Sequence, residues 1–227
     1  MKTISNSLSH IRNEIARLES KYGRPRDSVA LVAVSKTRPV SDLKEALAAG
    51  QKNFGENYLQ EAEDKIEALA GENITWHFIG PVQSNKTRAI AAQFDWVHSV
   101  DRASIARRLG DARPVNLPPL NICLQVNISG ESSKSGVNPE ELPTLIEECQ
   151  SLAGIHVRGL MALPAPNLDF DKQREAFHLV RKLLSENNNR LAGMDTLSLG
   201  TSHDLEAAIA EGSTMVRVGT AIFGERD

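Results

Sequence analysis

Leu31-Val32-Ala33-Val34-Ser35-Lys36-Thr37-Arg38-Pro39 is the stretch on which the fold turns. Leu31 to Ser35 is uncharged and mostly apolar, the pattern of a strand buried on both faces, and it ends on the Lys36 ammonium. A doubly wound open sheet needs a glycine-rich turn after its first strand, and this chain offers Ser-Lys-Thr-Arg-Pro instead. Working outward, the patterning predicts further strands at Lys52–Phe54, Thr75–Ile79, Trp96–Val100 and Asn121–Ile128, then at His156–Leu163, Thr196–Leu199 and Met215–Val218, the first spanning Val29–Ser35. Helical patterns fall between them at Ser41–Ala49, Asn57–Ala70, Ser84–Gln93, Arg102–Gly110, Pro139–Leu152, Asp169–Asn187 and Asp204–Glu211. Strict alternation of strand and helix implies a parallel sheet with right-handed crossovers. Eight units in 227 residues give about 28 residues each, near the roughly 31 of a typical eight-fold barrel. The reading is α/β, a single (β/α)8 TIM barrel over residues 1–227. Ile4, Leu8, Ile11, Ile15 and Leu18 make one apolar stripe of an extra N-terminal helix. The chain ends ten residues after Arg217, so no eighth helix is expected, and the N-terminal helix is expected to fill that slot.

Composition removes several function classes. The chain is 41% hydrophobic and 24% charged, with net charge -3, ordinary for a globular protein and without electrostatic reason to bind nucleic acid. Arg102, Arg107, Arg108 and Arg113 are diluted by Asp101 and Asp111 and read as a solvated helix face. No segment reaches the roughly 18 apolar residues of a membrane span. Cys123 and Cys149 have no metal-type neighbours at short spacing, so they read as reduced, packed thiols and no metal site is expected. A cytoplasmic protein is expected.

In a barrel, chemistry belongs to the C-terminal ends of the strands, and phosphate commonly binds after strands seven and eight. Strand seven runs into Ser198-Leu199-Gly200-Thr201-Ser202-His203-Asp204, and strand eight into Gly219-Thr220. Both are small and hydroxyl-bearing, suited to a phosphate, though ordinary N-caps and turns look the same. On strand eight Val216 and Val218 suit the outer helices, which sends Arg217 inward with Met215 and Gly219. A guanidinium there needs acceptors, either an ion-pair partner or a ring nitrogen of a ligand. Lys36 follows strand one, next to strand eight in a closed barrel. An amine at a strand end can merely snorkel; beside an apolar wall it can also act as a nucleophile. An amine, an arginine and two phosphate loops at one mouth describe a ligand with an aldehyde, an accepting nitrogen and a phosphate. Pyridoxal 5′-phosphate (PLP) fits that description.

Several blocks also resemble a known family. Leu31 to Thr37, Phe54-Gly55-Glu56-Asn57-Tyr58, Trp76 to Lys86, Asn127-Ile128-Ser129 with Lys134-Ser135-Gly136, Arg158-Gly159-Leu160-Met161-Ala162 and Val216 to Gly224 are similar to the pyridoxal phosphate homeostasis protein family (YggS/PROSC). The resemblance covers essentially the whole chain. It implies a fold like the N-terminal barrel of alanine racemase and a role in intracellular PLP homeostasis or delivery. It implies Lys36 as the Schiff-base lysine, Arg217 facing the pyridine nitrogen, and Ser202, Gly219 and Thr220 around the phosphate. Asn57, His77 and Met161 match positions lining the pocket. One departure stands out: the family's Gly-Met-Ser-x-Asp segment reads Gly200-Thr201-Ser202-His203-Asp204 here.

No catalytic residue is assigned. Arginine offers only donors, so Arg217 keeps the ring nitrogen unprotonated and the electron sink weak. Racemases of the related fold add a tyrosine base from a C-terminal β-domain, and this chain is expected to lack one. Tyr22 reads as structural and Tyr58 as a rim residue. The alternatives are a weak PLP-dependent amino-acid racemase and a Schiff-base aldolase. The expected partners are PLP and PLP-dependent apoenzymes, with no nucleic acid and no membrane, and the expected state is a monomer. Lys134 is a further amine after strand five.

Overall fold

The computed structural model describes residues 3–129, 135–188 and 193–225. Helix α1 (Ile4–Lys21) leads into β1 (Ala30–Val34), α2 (Val40–Ala48), β2 (Asn53–Glu56) and α3 (Leu59–Ala68). β3 (Thr75–Phe78), α4 (Thr87–Gln93), β4 (Trp96–Val100), α5 (Ala103–Ala112), β5 (Leu120–Gln125) and α6 (Leu142–Gln150) follow. β6 (Ile155–Met161), α7 (Phe170–Asn187), β7 (Thr196–Ser198), α8 (Leu205–Ala210), β8 (Met215–Val218) and α9 (Thr220–Phe223) complete the order. The strands close in sequence order, every pair parallel, with β1 hydrogen-bonded to both β2 and β8.

Period-two alternation sorts each strand into two faces. Leu31, Ala33, Phe54, Phe78, Val97, Leu160, Leu197, Val216 and Val218 are buried in the layer between sheet and helices. The other face points into the lumen, where the registers Val32↔Arg217, Gly55↔His77 and Met161↔Ser198 set neighbours side by side. Gly159 shows how tightly β6 and β7 meet: a Cβ there would lie 1.8 Å from the Thr196 carbonyl oxygen. No backbone can yield that much, so only glycine fits.

Three sequence expectations need adjustment. A helix does follow β8: Ile222 and Phe223 bury one turn, which Gly224 ends at φ 87°. Helix α1 packs against α2, α8 and α9, so it shares the eighth position rather than replacing a helix. The strands predicted to Ile128 and Leu163 stop at Gln125 and Met161. On β5 only the isolated bridge Val126↔Val137 continues, and the Asn127 side chain then accepts from the Ser129 amide, folding the chain into a turn. Lys134 lies outside the described residues.

Candidate cofactor site

The lumen is polar where a barrel of this kind is usually filled by branched apolar layers. Asn53 Oδ1 lies 3.0 Å from His77 Nε2, and His77 Nδ1 lies 3.0 Å from His98 Nε2. His98 Nδ1 is 2.7 Å from Ser198 Oγ, a contact through the lumen between the non-adjacent strands β4 and β7. Arg217 completes the chain: Nη1 donates to Ser198 Oγ at 2.6 Å and to the Ser198 carbonyl at 2.5 Å, and Nη2 donates to the Ala162 carbonyl at 3.1 Å.

Proton positions follow from this order. Asn53 Oδ1 only accepts, so His77 Nε2 carries a proton. Complete burial holds His77 down to about 3 and His98 well below the ordinary imidazole value, so both rings are neutral at pH 7. His77 Nδ1 then accepts from His98 Nε2, and His98 Nδ1 accepts from the Ser198 hydroxyl. Every donor points from Arg217 toward Asn53. Burial lowers Arg217 to about 10, still well above neutral, while the Asp204 charge opposes the shift. Its three hydrogen bonds among the described residues all go to uncharged oxygens. The lumen therefore carries a positive charge that dipoles steady and no bonded carboxylate cancels.

Above this layer the C-terminal ends of the strands carry Lys36, Asn57, Met161, Ser202, Gly219 and Thr220, while His77 and Arg217 belong to the layer itself. Lys36 is half-buried two residues beyond Val34, and Gly219 lies so close that a Cβ would sit 3.2 Å from the Val34 carbonyl oxygen. Ser202 Oγ accepts from the Ala221 amide at 3.4 Å, which joins the loop after β7 to the turn Gly219-Thr220 after β8. The Thr201 amide and hydroxyl both donate to Asp204 Oδ1, at 2.6 and 2.8 Å. A methionine could not make the second of these bonds, so the departure at Thr201 adds a tie that holds Ser202 in its loop. His203 is exposed. Asn57 is half-buried just past β2, and Gly80 makes room for it: a Cβ at Gly80 would lie 2.1 Å from the Asn57 carbonyl oxygen. Met161 is buried on the same lumen face as Ser198. His77 is fully buried with both ring nitrogens engaged, a layer below the mouth.

Ser198 and His98 matter more than their sequence context suggests. Alternation on β4 does put His98 on the inward face with Trp96, but only the closed register shows that it reaches Ser198. Lys65 is another such residue. It is buried among Leu59, Ala62 and Leu69 on the inner stripe of α3, where a cation is the anomaly. The donor set fits PLP: an amine, a guanidinium held in a fixed plane, and hydroxyls beside a glycine turn. Among the described residues no group of three or more His, Cys, Asp or Glu could hold a metal ion. Both cysteines are buried thiols that burial pushes up to about 12.

An eight-stranded barrel with this mouth has the make-up of the alanine racemase N-terminal domain, whose family model matches residues 7–227. The pyridoxal phosphate homeostasis protein of Pseudomonas aeruginosa is 54% identical over 100% of this chain and 97% of its own length. The protein of the same name from Escherichia coli K12 is 49% identical over 100% of this chain and 98% of its own. PipY of Synechococcus elongatus, solved with PLP bound, is 37% identical with a TM-score of 0.83, covering 92% of this chain and 100% of that one. The chain belongs to the pyridoxal phosphate homeostasis protein family.

Proposed function

We propose that this chain binds PLP as a Schiff base on Lys36 and stores or delivers it within the cell without turning over amino acids. The observation that carries the reading is the junction of β1 and β8. There the amine follows a strand whose Val32 is in register with Arg217 and whose Val34 touches Gly219. PLP, when bound, supplies an aldehyde carbon for the amine and a ring that withdraws electrons best when its nitrogen is protonated. Lys36 is the residue that would hold PLP covalently, through its Nζ and the aldehyde carbon. Arg217 would face the ring nitrogen, and Ser202, Gly219 and Thr220 would hold the phosphate. Asn57 and Met161 line the pocket, and His77 supports it from beneath.

Storage rather than turnover is supported by what surrounds the amine. A guanidinium that only donates keeps the ring nitrogen unprotonated and the ring a poor electron sink. Tyr22 donates to Glu206 on the outer layer, and Tyr58, ahead of α3, is 54% exposed. The proposal extends to the cytoplasm as the setting, a monomer as the working form and PLP-dependent apoenzymes as recipients. Among the described residues no helix is long and apolar enough to cross a membrane.

Titration of the purified protein with PLP is expected to raise a visible absorption band that Lys36→Ala abolishes. Equal spectra for the two proteins would refute the assignment. Solvent deuterium incorporation at the α-carbon of alanine should run no faster than with free PLP, and faster exchange would favour a racemase.

A further inference from the structure

Both peptide groups that flank Lys36 are gripped by side chains. On one side, the Ser35 amide donates to the Gly55 carbonyl at 3.0 Å, and the Ser35 hydroxyl donates to Glu56 Oε1 at 2.6 Å. The Ser35 carbonyl, which belongs to the peptide joining it to Lys36, accepts from Lys65 Nζ at 2.8 Å and from the Arg38 amide at 3.0 Å. On the other side, the Thr37 amide donates to Glu61 Oε2 at 2.8 Å. Thr37 has φ 63°, a left-handed conformation that is uncommon for a β-branched residue and needs something to hold it. Lys65 Nζ also donates to Glu56 Oε1 at 2.8 Å and lies 3.9 Å from Glu61 Oε2. One ammonium and two carboxylates, all from β2 and α3, therefore hold the backbone before and after a single residue.

Stability alone does not explain this cluster. Glu56 is fully buried and Lys65 is 5% exposed, and well-packed apolar residues often serve stability as well as a buried ion pair or better. Among the described residues Glu56 Oε2 has no hydrogen-bond partner, so the pair is not even fully satisfied. An apolar pair could not grip the Ser35 carbonyl, and an ammonium on a long stem can.

We propose that Lys65 and Glu61, which touch neither the lumen chain nor the phosphate loops, are positioning residues for Lys36. They lock the peptide planes on either side of it so that its amine is presented to the aldehyde without a search. The inference rests on the reading of Lys36 as the Schiff-base lysine.

The test separates imine formation from simple binding. Glu61 is the better site to vary, because its side chain is 38% exposed and its loss leaves the buried Lys65–Glu56 pair intact. In Glu61→Ala the apparent dissociation constant for PLP, read from the visible band, is expected to rise about tenfold, the scale of one lost charge-assisted hydrogen bond. Pyridoxine 5′-phosphate carries an alcohol in place of the aldehyde and cannot form the imine, so its affinity should change less than about twofold. Hydrogen exchange at the Thr37 amide should accelerate, and Glu61→Gln, which keeps an acceptor, should restore most of the PLP affinity. Parallel weakening of both ligands, or no change for PLP, would overturn the positioning role while leaving Lys36 in place. A visible band that survives in Lys36→Ala would overturn both this role and the reading beneath it.

Discussion

Acidification from pH 7 to pH 5 is expected to remove about 2 kcal/mol of stability through His77 alone, with His98 adding in the same direction. In the folded barrel His77 stays neutral down to about 3, and His98 is likewise held far below its ordinary value. Once unfolded, both rings regain ordinary imidazole behaviour and bind protons below about pH 6.5. The unfolded chain then binds protons that the folded chain refuses, so stability is full above pH 6.5 and falls as pH drops toward 3. Glu56 works the other way. Burial raises its carboxyl above the usual range against the opposing pull of Lys65, so its contribution favours the folded state in acid. The carboxylates held low by ion pairs, Glu14, Asp195, Glu206 and Glu211, lose their contribution from the ordinary carboxylate range downward, so between pH 7 and pH 5 the histidines act with Glu56 opposing them. Denaturant midpoints at pH 7, 6 and 5 should decline steeply for the native sequence and less steeply for His77→Gln. A flat profile for the native sequence would show that the rings are not held neutral.

Replacing Lys65 by methionine is expected to cost about 3–5 kcal/mol, the scale for removing one partner of a buried ion pair. Lys65→Met removes one of the two partners Glu56 Oε1 has among the described residues, leaving the Ser35 hydroxyl, and strands a carboxylate whose Oε2 has none among them in the wall of the barrel. The double change Lys65→Met with Glu56→Met removes both charges and should recover most of the loss, because the penalty lies in the stranded charge rather than in the missing attraction. Thermal or urea unfolding of the two variants decides it. If the double variant is as unstable as the single one, the pair contributes through packing and not through charge.

The fold was legible because its evidence is local. Each strand is a short apolar run, each helix an amphipathic stripe, and the absence of a glycine turn after Val34 argues against an open sheet. Alternation on β8 also sufficed to turn Arg217 inward, since Val216 and Val218 needed the helix layer. What faces Arg217 was not legible. Its acceptors are the carbonyls of Ser198 and Ala162 and the Ser198 hydroxyl, groups that only the registers of β6, β7 and β8 bring near it. These three bonds engage Nη1 and Nη2, and the guanidinium keeps further N–H groups for another acceptor. The His77–His98–Ser198 chain was hidden for the same reason: β4 and β7 are not neighbours, so no pattern along either strand announces a contact across the lumen. Strand ends were misjudged where turns compete with pairing, as at Asn127, because apolar residues continue past the last ladder bond.

At the mouth, the sequence singled out the groups with recognisable chemistry, Lys36, Ser202, Gly219 and Thr220, and passed over those that hold them. Thr201 and Asp204 tie the loop carrying Ser202, and Lys65, Glu56 and Glu61 tie the turn carrying Lys36. Such residues look like ordinary surface polar groups until their burial and their partners are known. A lysine inside the apolar stripe of α3 was the one visible sign.

Borohydride reduction of the PLP-loaded protein, followed by peptide mass spectrometry, tests the central claim most directly. The account predicts a pyridoxyl group on Lys36. A label on another lysine with Lys36 unmodified would contradict it.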